Sequence, residues 1–258
     1  MRNSPQRLSV IVITKNEECN IVDCLKSASW AAEIVVVDAE SSDRTVELAR
    51  QFTKHVFVRR WEGYAESKNF ALSRACGEWI LWLDADERVT PELAQEIRET
   101  IQDESRTCDA YEVARRAYFL GKWMKHCGWY PGYVARLFRK NSAMFNDAKV
   151  HEGLNLKGKA GRLKNDLLHF TDDTLYHYFE KFNRYTSLAA EELAEANRES
   201  SLYDLIIRPP YLFCKMYFLR LGLLDGMHGL VLSLVSAAYV FTKYAKLWQL
   251  RQKLAAGA

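Results

Sequence analysis

Residues 8–14 (LSVIVIT) form an unbroken apolar, β-branched run, the pattern of a strand buried on both faces. A polar turn at Asn16 and Glu17 follows, and residues 20–31 then place Ile21, Leu25 and Ala28 on one helical stripe. The alternation repeats. Residues 33–37 (EIVVV) predict a second buried strand ended by Asp38, and Ser41-Ser42-Asp43 predict the cap of a helix over 44–52. A third short strand is expected over 55–59, a helix over 66–75, and a fourth strand over 79–83 (WILWL) that runs into Asp84-Ala85-Asp86. Pro91 suits the first position of a further helix. Strands and helices in this order predict parallel βαβ units with right-handed crossovers. Such sheets bind ligands at the carboxyl ends of their strands, which is where Asp38 and Asp84 fall.

After Asp109 the pattern changes. Strands are expected over 111–115, 133–138 and 163–170, with an aromatic loop (Trp123, Trp129, Tyr130) between the first two and His151-Glu152 after a turn-rich stretch. Residues 175–196 carry Tyr178, Phe182, Tyr185 and Leu188 at helical spacing. Arg208-Pro209-Pro210 predicts a break, beyond which the chain is apolar and helical apart from Gly222, Gly226 and Gly229. No internal repeat is visible.

Charge changes the picture only in the tail. From Arg208 onward there are seven basic residues and one acid, Asp225, whereas the rest of the chain carries a small acidic excess. That asymmetry suggests an anionic surface partner for the tail. The basic residues lie among apolar ones rather than lining a polar groove, so nucleic acid is not expected. The six cysteines include no C-x-x-C pair, and the polar residues 1–7 lack the apolar core of a signal peptide. Reduced thiols in the cytoplasm are the simplest expectation.

Asp84-Ala85-Asp86 is the sharpest chemical signal. A divalent cation bridging two phosphates wants hard oxygen ligands, and both acids can face one crevice only if the chain turns between them. By itself D-x-D also fits a polar loop after a strand. Its position after WILWL, with a second strand-end acid at Asp38, favours a site. Ser41 to Asp43 are read as caps.

Taken together, VIVITKNEE, VVVDAESSDRT, the Lys68-Asn69 step and WILWLDADE resemble a family 2 glycosyltransferase of the GT-A fold over roughly the first hundred residues. ARLFRK (135–140) and VHE (150–152) are similar to the subgroup of lipopolysaccharide-core β-1,4-glucosyltransferases. The resemblance implies an α/β fold: a Rossmann-like nucleotide-binding mixed sheet flanked by helices, with a C-terminal helical, partly apolar extension. The domains expected are a catalytic domain over 1–200 (nucleotide-binding half 1–108, acceptor half 109–170, helix 171–200) and a basic, apolar helical region over 201–258. It also implies roles. Thr14, Asn16 and Glu17 line the nucleoside pocket, and Asp38 pairs with the base, usually uracil. Lys68 lies near base and phosphates, Asp84 approaches the ribose, and Asp86 ligates Mg or Mn with His151 as a further contact. Arg136 or Arg139 neutralises the pyrophosphate of a UDP-sugar or other nucleotide-diphosphate sugar, since a guanidinium matches phosphate geometry.

An inverting transfer needs a carboxylate to take the proton of the acceptor hydroxyl. Many relatives supply it from a Glu-Asp pair that this chain lacks. The substitutes are Glu152 and, as the alternative, Asp147. The expected function is an inverting, metal-dependent hexosyltransferase that moves a sugar such as glucose to a lipid-linked saccharide, with the aromatic loop stacking on the acceptor. A polyprenyl-phosphate sugar synthase and a non-catalytic sugar-binding module are the competing readings. Nucleotidyl transfer is disfavoured because ITKNEE contains no glycine for a phosphate loop. In the tail, residues 226–242 hold no Asp, Glu, Lys or Arg, with basic residues on both flanks. That run is short for a membrane span, so docking at the cytoplasmic face of the inner membrane is expected, with packing on the domain as the alternative.

Overall fold

The structure is a computed structural model that describes residues 8–103, 105, 107–146 and 154–256, the last three without their side chains. The chain divides into two compact units, residues 1–115 with 132–169, and residues 116–131 with 170–258.

The first unit opens with β1 (Leu8–Thr14), α1 (Ile21–Ser27), β2 (Glu33–Asp38), α2 (Thr45–Ala49), β3 (Val56–Val58), α3 (Tyr64–Arg74) and β4 (Trp79–Asp84). Strands β3, β2, β1 and β4 lie side by side and parallel. Alternation along β1 explains why apolar residues fall on both of its faces. Val10 and Val12 enter one core with Leu25 and Leu81, while Ile11 enters the opposite core with Val35, Leu72 and Ile80. The next elements are β5 (Glu87–Val89), α4 (Pro91–Gln102), capped by the Thr90 side chain, and β6 (Ala110–Phe119). After them come β7 (Lys122–Trp123), β8 (Gly132–Arg139), β9 (Ala143–Phe145), β10 (Leu154–Leu156), β11 (Ala160–Arg162) and β12 (Leu167–Asp172). The sheet runs β3-β2-β1-β4-β8-β6-β12-β5, with β8 antiparallel to β4 and β5 antiparallel to β12. It is therefore a mixed sheet whose parallel half carries the flanking helices.

The second unit contains α5 (Leu175–Glu195), α6 (Arg208–Cys214) and α7 (Met227–Ala256). The hairpin joining β6 to β7 turns at Leu120 and Gly121, both with positive φ, as a two-residue primed turn requires. Lys246 on α7 places its Nζ 2.7–2.8 Å from four acceptors on α5, the Asn183 carbonyl and side-chain oxygens and the Thr186 and Ser187 hydroxyls. Phe182 packs edge-on against Tyr239 of α7. These contacts group α5 with the C-terminal helices.

Two local expectations are corrected. Arg208-Pro209-Pro210 does not break the helical path, which runs from a π-helical turn at Tyr203–Ile207 through α6 to another at Lys215–Leu219. The prolines occupy the first turn of α6, where a missing N–H costs least. The helix expected over 44–52 shrinks to Thr45–Ala49. Asp43 does mark its start, because its Oδ1 accepts from the Thr45 backbone N–H and hydroxyl.

Candidate functional site

Parallel pairing sets Thr14 opposite Asp38 and Ile13 opposite Asp84, so the tips of β2, β1 and β4 form one edge. Two strand spacings separate Asp38 from Asp84, about 10 Å. The loops after β1 and β2 are tied together. Asn16, in the left-handed conformation that asparagine tolerates, accepts from the Ser42 N–H while its own N–H donates to Ser41 Oγ. The Glu17 N–H donates to Thr45 Oγ1. Asp38 is fully buried and accepts from both the N–H and the hydroxyl of Ser41. Beside it, the buried hydroxyl of Thr14 has no hydrogen-bond partner.

The chain turns sharply between β4 and β5, and Glu87 makes that turn. One of its carboxylate oxygens accepts from the Asp84 N–H at 3.0 Å, and the other accepts from Arg136 at 2.5 Å. The same Arg136 nitrogen donates to Asp84 Oδ2. Burial opposes the charge on Asp84, but Arg136, then Lys68 and His169, outweigh it and hold its pKa at about 2. Burial pushes the Glu87 carboxyl up against the pull of Arg136. Burial likewise raises the Cys24 thiol, reinforced by Glu87, Asp86 and Asp84, so that side chain stays neutral.

Trp82 organises the two nearest cations. Lys68 Nζ and the Arg136 guanidinium each lie 3.9 Å from its ring centroid, an arrangement that favours a cation over the ring face. Neighbouring Asn69 has a framework role, exchanging both hydrogen bonds with the backbone of Phe145 in β9. Asp86 sits in the turn itself, with Oδ2 3.4 Å from His169 Nε2. His169 lies opposite Glu87 in the β12–β5 pairing. Burial disfavours its imidazolium, but the hydrogen bond to Asp86 more than offsets this and raises the pKa. Arg115 completes the cluster, 4.0 Å from Glu87.

Thr14, Asn16, Glu17, Asp38, Lys68, Asp84, Asp86 and Arg136 thus come from the same strand tips and the helix beside them. Arg139 does not join them. It lies opposite Trp79 and pairs with Glu78 at the far end of β4, about 17 Å along the strand from Asp84. Arg136 is three residues nearer, and it is already a buried counter-ion to Asp84 and Glu87 rather than an exposed guanidinium. Asp147, His151 and Glu152 lie outside the described residues. The sequence reading missed Glu87 and His169. The D-x-x-E spacing from Asp84 to Glu87 is a turn signal that could have revealed the first. A polar residue inside LLHFT was the only sign of the second.

A half-parallel mixed sheet with carboxylates at its strand tips and a cation-lined turn is the GT-A architecture. The glycosyl transferase family 2 model matches residues 9–154, and the chain belongs to that family: it is a glycosyltransferase. It is 32% identical over 255 residues to LpsC of Rhizobium meliloti, a lipopolysaccharide core biosynthesis glycosyltransferase, covering 94% of this chain and 92% of that protein. It is 29% identical to an uncharacterized glycosyltransferase of Rickettsia typhi, covering 96% and 89%. Among solved structures it shares its fold with the mannosyltransferase PcManGT of Pyrobaculum calidifontis, in complex with GDP-Man and Mn2+, at TM-score 0.54 and 18% identity, covering 93% of this chain and 86% of that one.

Proposed function

We propose that this glycosyltransferase uses a divalent cation and inverts the anomeric centre while moving a hexose, glucose in the simplest case, from a UDP-sugar to a lipid-linked saccharide of the lipopolysaccharide-core kind. The observation that carries the reading is the single edge formed by Asp38, Thr14 and Asp84. The buried, unpartnered Thr14 hydroxyl beside Asp38 suits the polar edge of a base. Asn16 and Glu17 shape the loop around the nucleoside, and Lys68 supplies positive charge on the phosphate side. LpsC, by its name, builds lipopolysaccharide core, which supports the acceptor class. The six cysteines, all free thiols, are compatible with a reducing compartment such as the cytoplasm.

Among the described residues no group of three or more His, Cys, Asp or Glu side chains would hold a metal ion by itself. Asp86 with His169 nevertheless fits a magnesium or manganese ion, which commonly takes one or two protein ligands and fills its shell with phosphate oxygens and water. His169 is proposed as a contact beside Asp86; His151, the contact expected from sequence, lies outside the described residues. Such a cation, when bound, neutralises charge on the departing diphosphate. Asp84, held ionised by Arg136, keeps its side chain 38% exposed and remains available to the ribose. Glu152 is the proposed base, with Asp147 as the alternative.

Two measurements test this. A panel of nucleotide sugars with Mn2+ is expected to raise Tm by about 5–10 °C for the cognate donor at a hundredfold excess over Kd. No shift with any uridine or guanosine diphosphate sugar would refute the donor class. Glu152→Gln is expected to abolish transfer with donor binding unchanged, and normal turnover in that variant excludes Glu152 from the mechanism. Mass analysis of the product separates a glycosidic linkage from the sugar phosphate that a polyprenyl-phosphate synthase makes.

A further inference from the structure

Surface helices normally present polar residues to solvent. The helical path from Leu202 to Leu219 does the reverse. Its exposed positions are Leu202 and Tyr203, Ile206 and Ile207, Pro210 and Tyr211, Cys214, then Phe218 and Leu219, spaced so that they share one face. Leu202 and Leu219 are each 74% exposed, and Ile206 and Tyr211 each 60%. The next turn prolongs the face with Leu221, Leu223, Leu224 and Met227, all exposed. Leu221 adopts φ 54°, a costly conformation for a bulky residue. The turn is nevertheless held firmly, since a Cβ on Gly222 would strike Cys127 Sγ and the Met216 carbonyl, and a Cβ on Gly229 would strike the Gly222 carbonyl.

Of the charges on this stretch, Asp204, Asp225 and Arg208 are used inside the unit. Its two acids turn inward. Asp204 is buried against Ser201 and Arg208, and Asp225 is buried against His126. The bases Lys215 and Arg220 instead line a cavity of about 450 Å3 walled by Trp129, Tyr178, Leu212 and Tyr239.

We propose that the outward face of residues 202–227 is a docking surface for an anionic lipid bilayer. The leucines and aromatics enter the boundary between headgroups and acyl chains, and Lys215 and Arg220 meet lipid phosphates. This relocates the contact expected from sequence. Helix α7 is long and apolar enough to cross a membrane by length and composition. However, Leu232, Tyr244 and Leu247 are buried in the unit's core, and Lys246 is bonded to the charged helix α5, which would have to follow it into lipid.

The test is sedimentation of the full chain with vesicles of phosphatidylcholine, with or without phosphatidylglycerol. Wild type is expected to bind the mixed vesicles at low salt and to release them at high salt. Ile206→Ser with Phe218→Ser and Leu219→Ser is expected to lower partitioning at least tenfold with Tm unchanged, and Leu219→Ser alone to lower it measurably. Lys215→Gln with Arg220→Gln is expected to remove about tenfold and the preference for phosphatidylglycerol. Wild type that stays in the supernatant, or variants that bind like wild type, overturn the proposal. So does membrane protein that resists carbonate extraction, which would make α7 a span. A dimer in light scattering that the triple variant dissociates also overturns it, because a second copy would then cover the face. None of these readouts involves sugar transfer, so their failure leaves the catalytic reading standing and its failure leaves them intact.

Discussion

Replacing Asp86 by asparagine is expected to lower kcat/KM for sugar transfer by about 10²–10³, the usual cost of losing one fixed electrostatic partner of a departing charge. The amide keeps the shape and loses the negative charge. The Mn2+ concentration needed for half-maximal activity is expected to rise in the same variant. Stability changes little, because Asp86 meets His169 at 3.4 Å and neither residue belongs to the buried Arg136 pairing. Asp84, two residues before it, behaves differently. It is bonded to a buried arginine, so Asp84→Asn costs folding stability as well as activity. The pair of variants would separate two roles that a D-x-D motif merges: Asp86 is the proposed cation ligand, and Asp84 is also bonded into the framework through Arg136. Turnover of Asp86→Asn within threefold of wild type, with an unchanged metal requirement, would end its candidacy as the cation ligand.

Much of this was visible in the chain itself, and the divide between what was and what was not is physical. Strands β1, β2 and β4 are legible because a strand covered by helices on both faces has no polar positions to interrupt it. The acids Asp38 and Asp84 stand out because each is the first polar residue after such a run. Arg136 was read as an arginine for phosphate. That role depended on the register of β8 against β4, a pairing between segments far apart in sequence, and the register makes Arg136 a buried counter-ion and sends Arg139 to the other end of the strand. The tail was legible as apolar and basic, but not which of its apolar residues are covered. Helix α7 looked like the lipid-facing segment because it lacks charge, yet its packing against α5 uses much of that surface. The shorter helical path before it keeps its apolar side outside. Asp225, the one acid of the tail, is buried and accepts from the His126 N–H, with the His126 ring 3.0 Å away.

Arg136→Met is expected to lower stability by about 3–5 kcal/mol, because it strands Glu87 in the protein interior without its cation and leaves Asp84 with weaker partners. For a chain of this size that corresponds to a fall in Tm of roughly 6–20 °C. Methionine fills comparable space, so a cavity is not the cause. Adding Glu87→Gln to Arg136→Met removes the stranded charge while keeping an oxygen that can accept from the Asp84 N–H. The double variant is therefore expected to recover stability relative to Arg136→Met alone, with a coupling of about 0.5–3 kcal/mol in the double-mutant cycle. Chemical denaturation of the four proteins measures it. A loss under 1 kcal/mol for Arg136→Met, or strict additivity in the cycle, would mean that the ion pair does not hold the turn. Activity gives an independent readout. Glu87 fixes the turn through the Asp84 N–H, and Asp86, the proposed cation ligand, sits in that turn, so the partly rescued double variant is expected to stay poorly active even where it is well folded. Recovered folding without recovered transfer would show that Arg136 sets the position of the two acids as well as the stability of the strand tips.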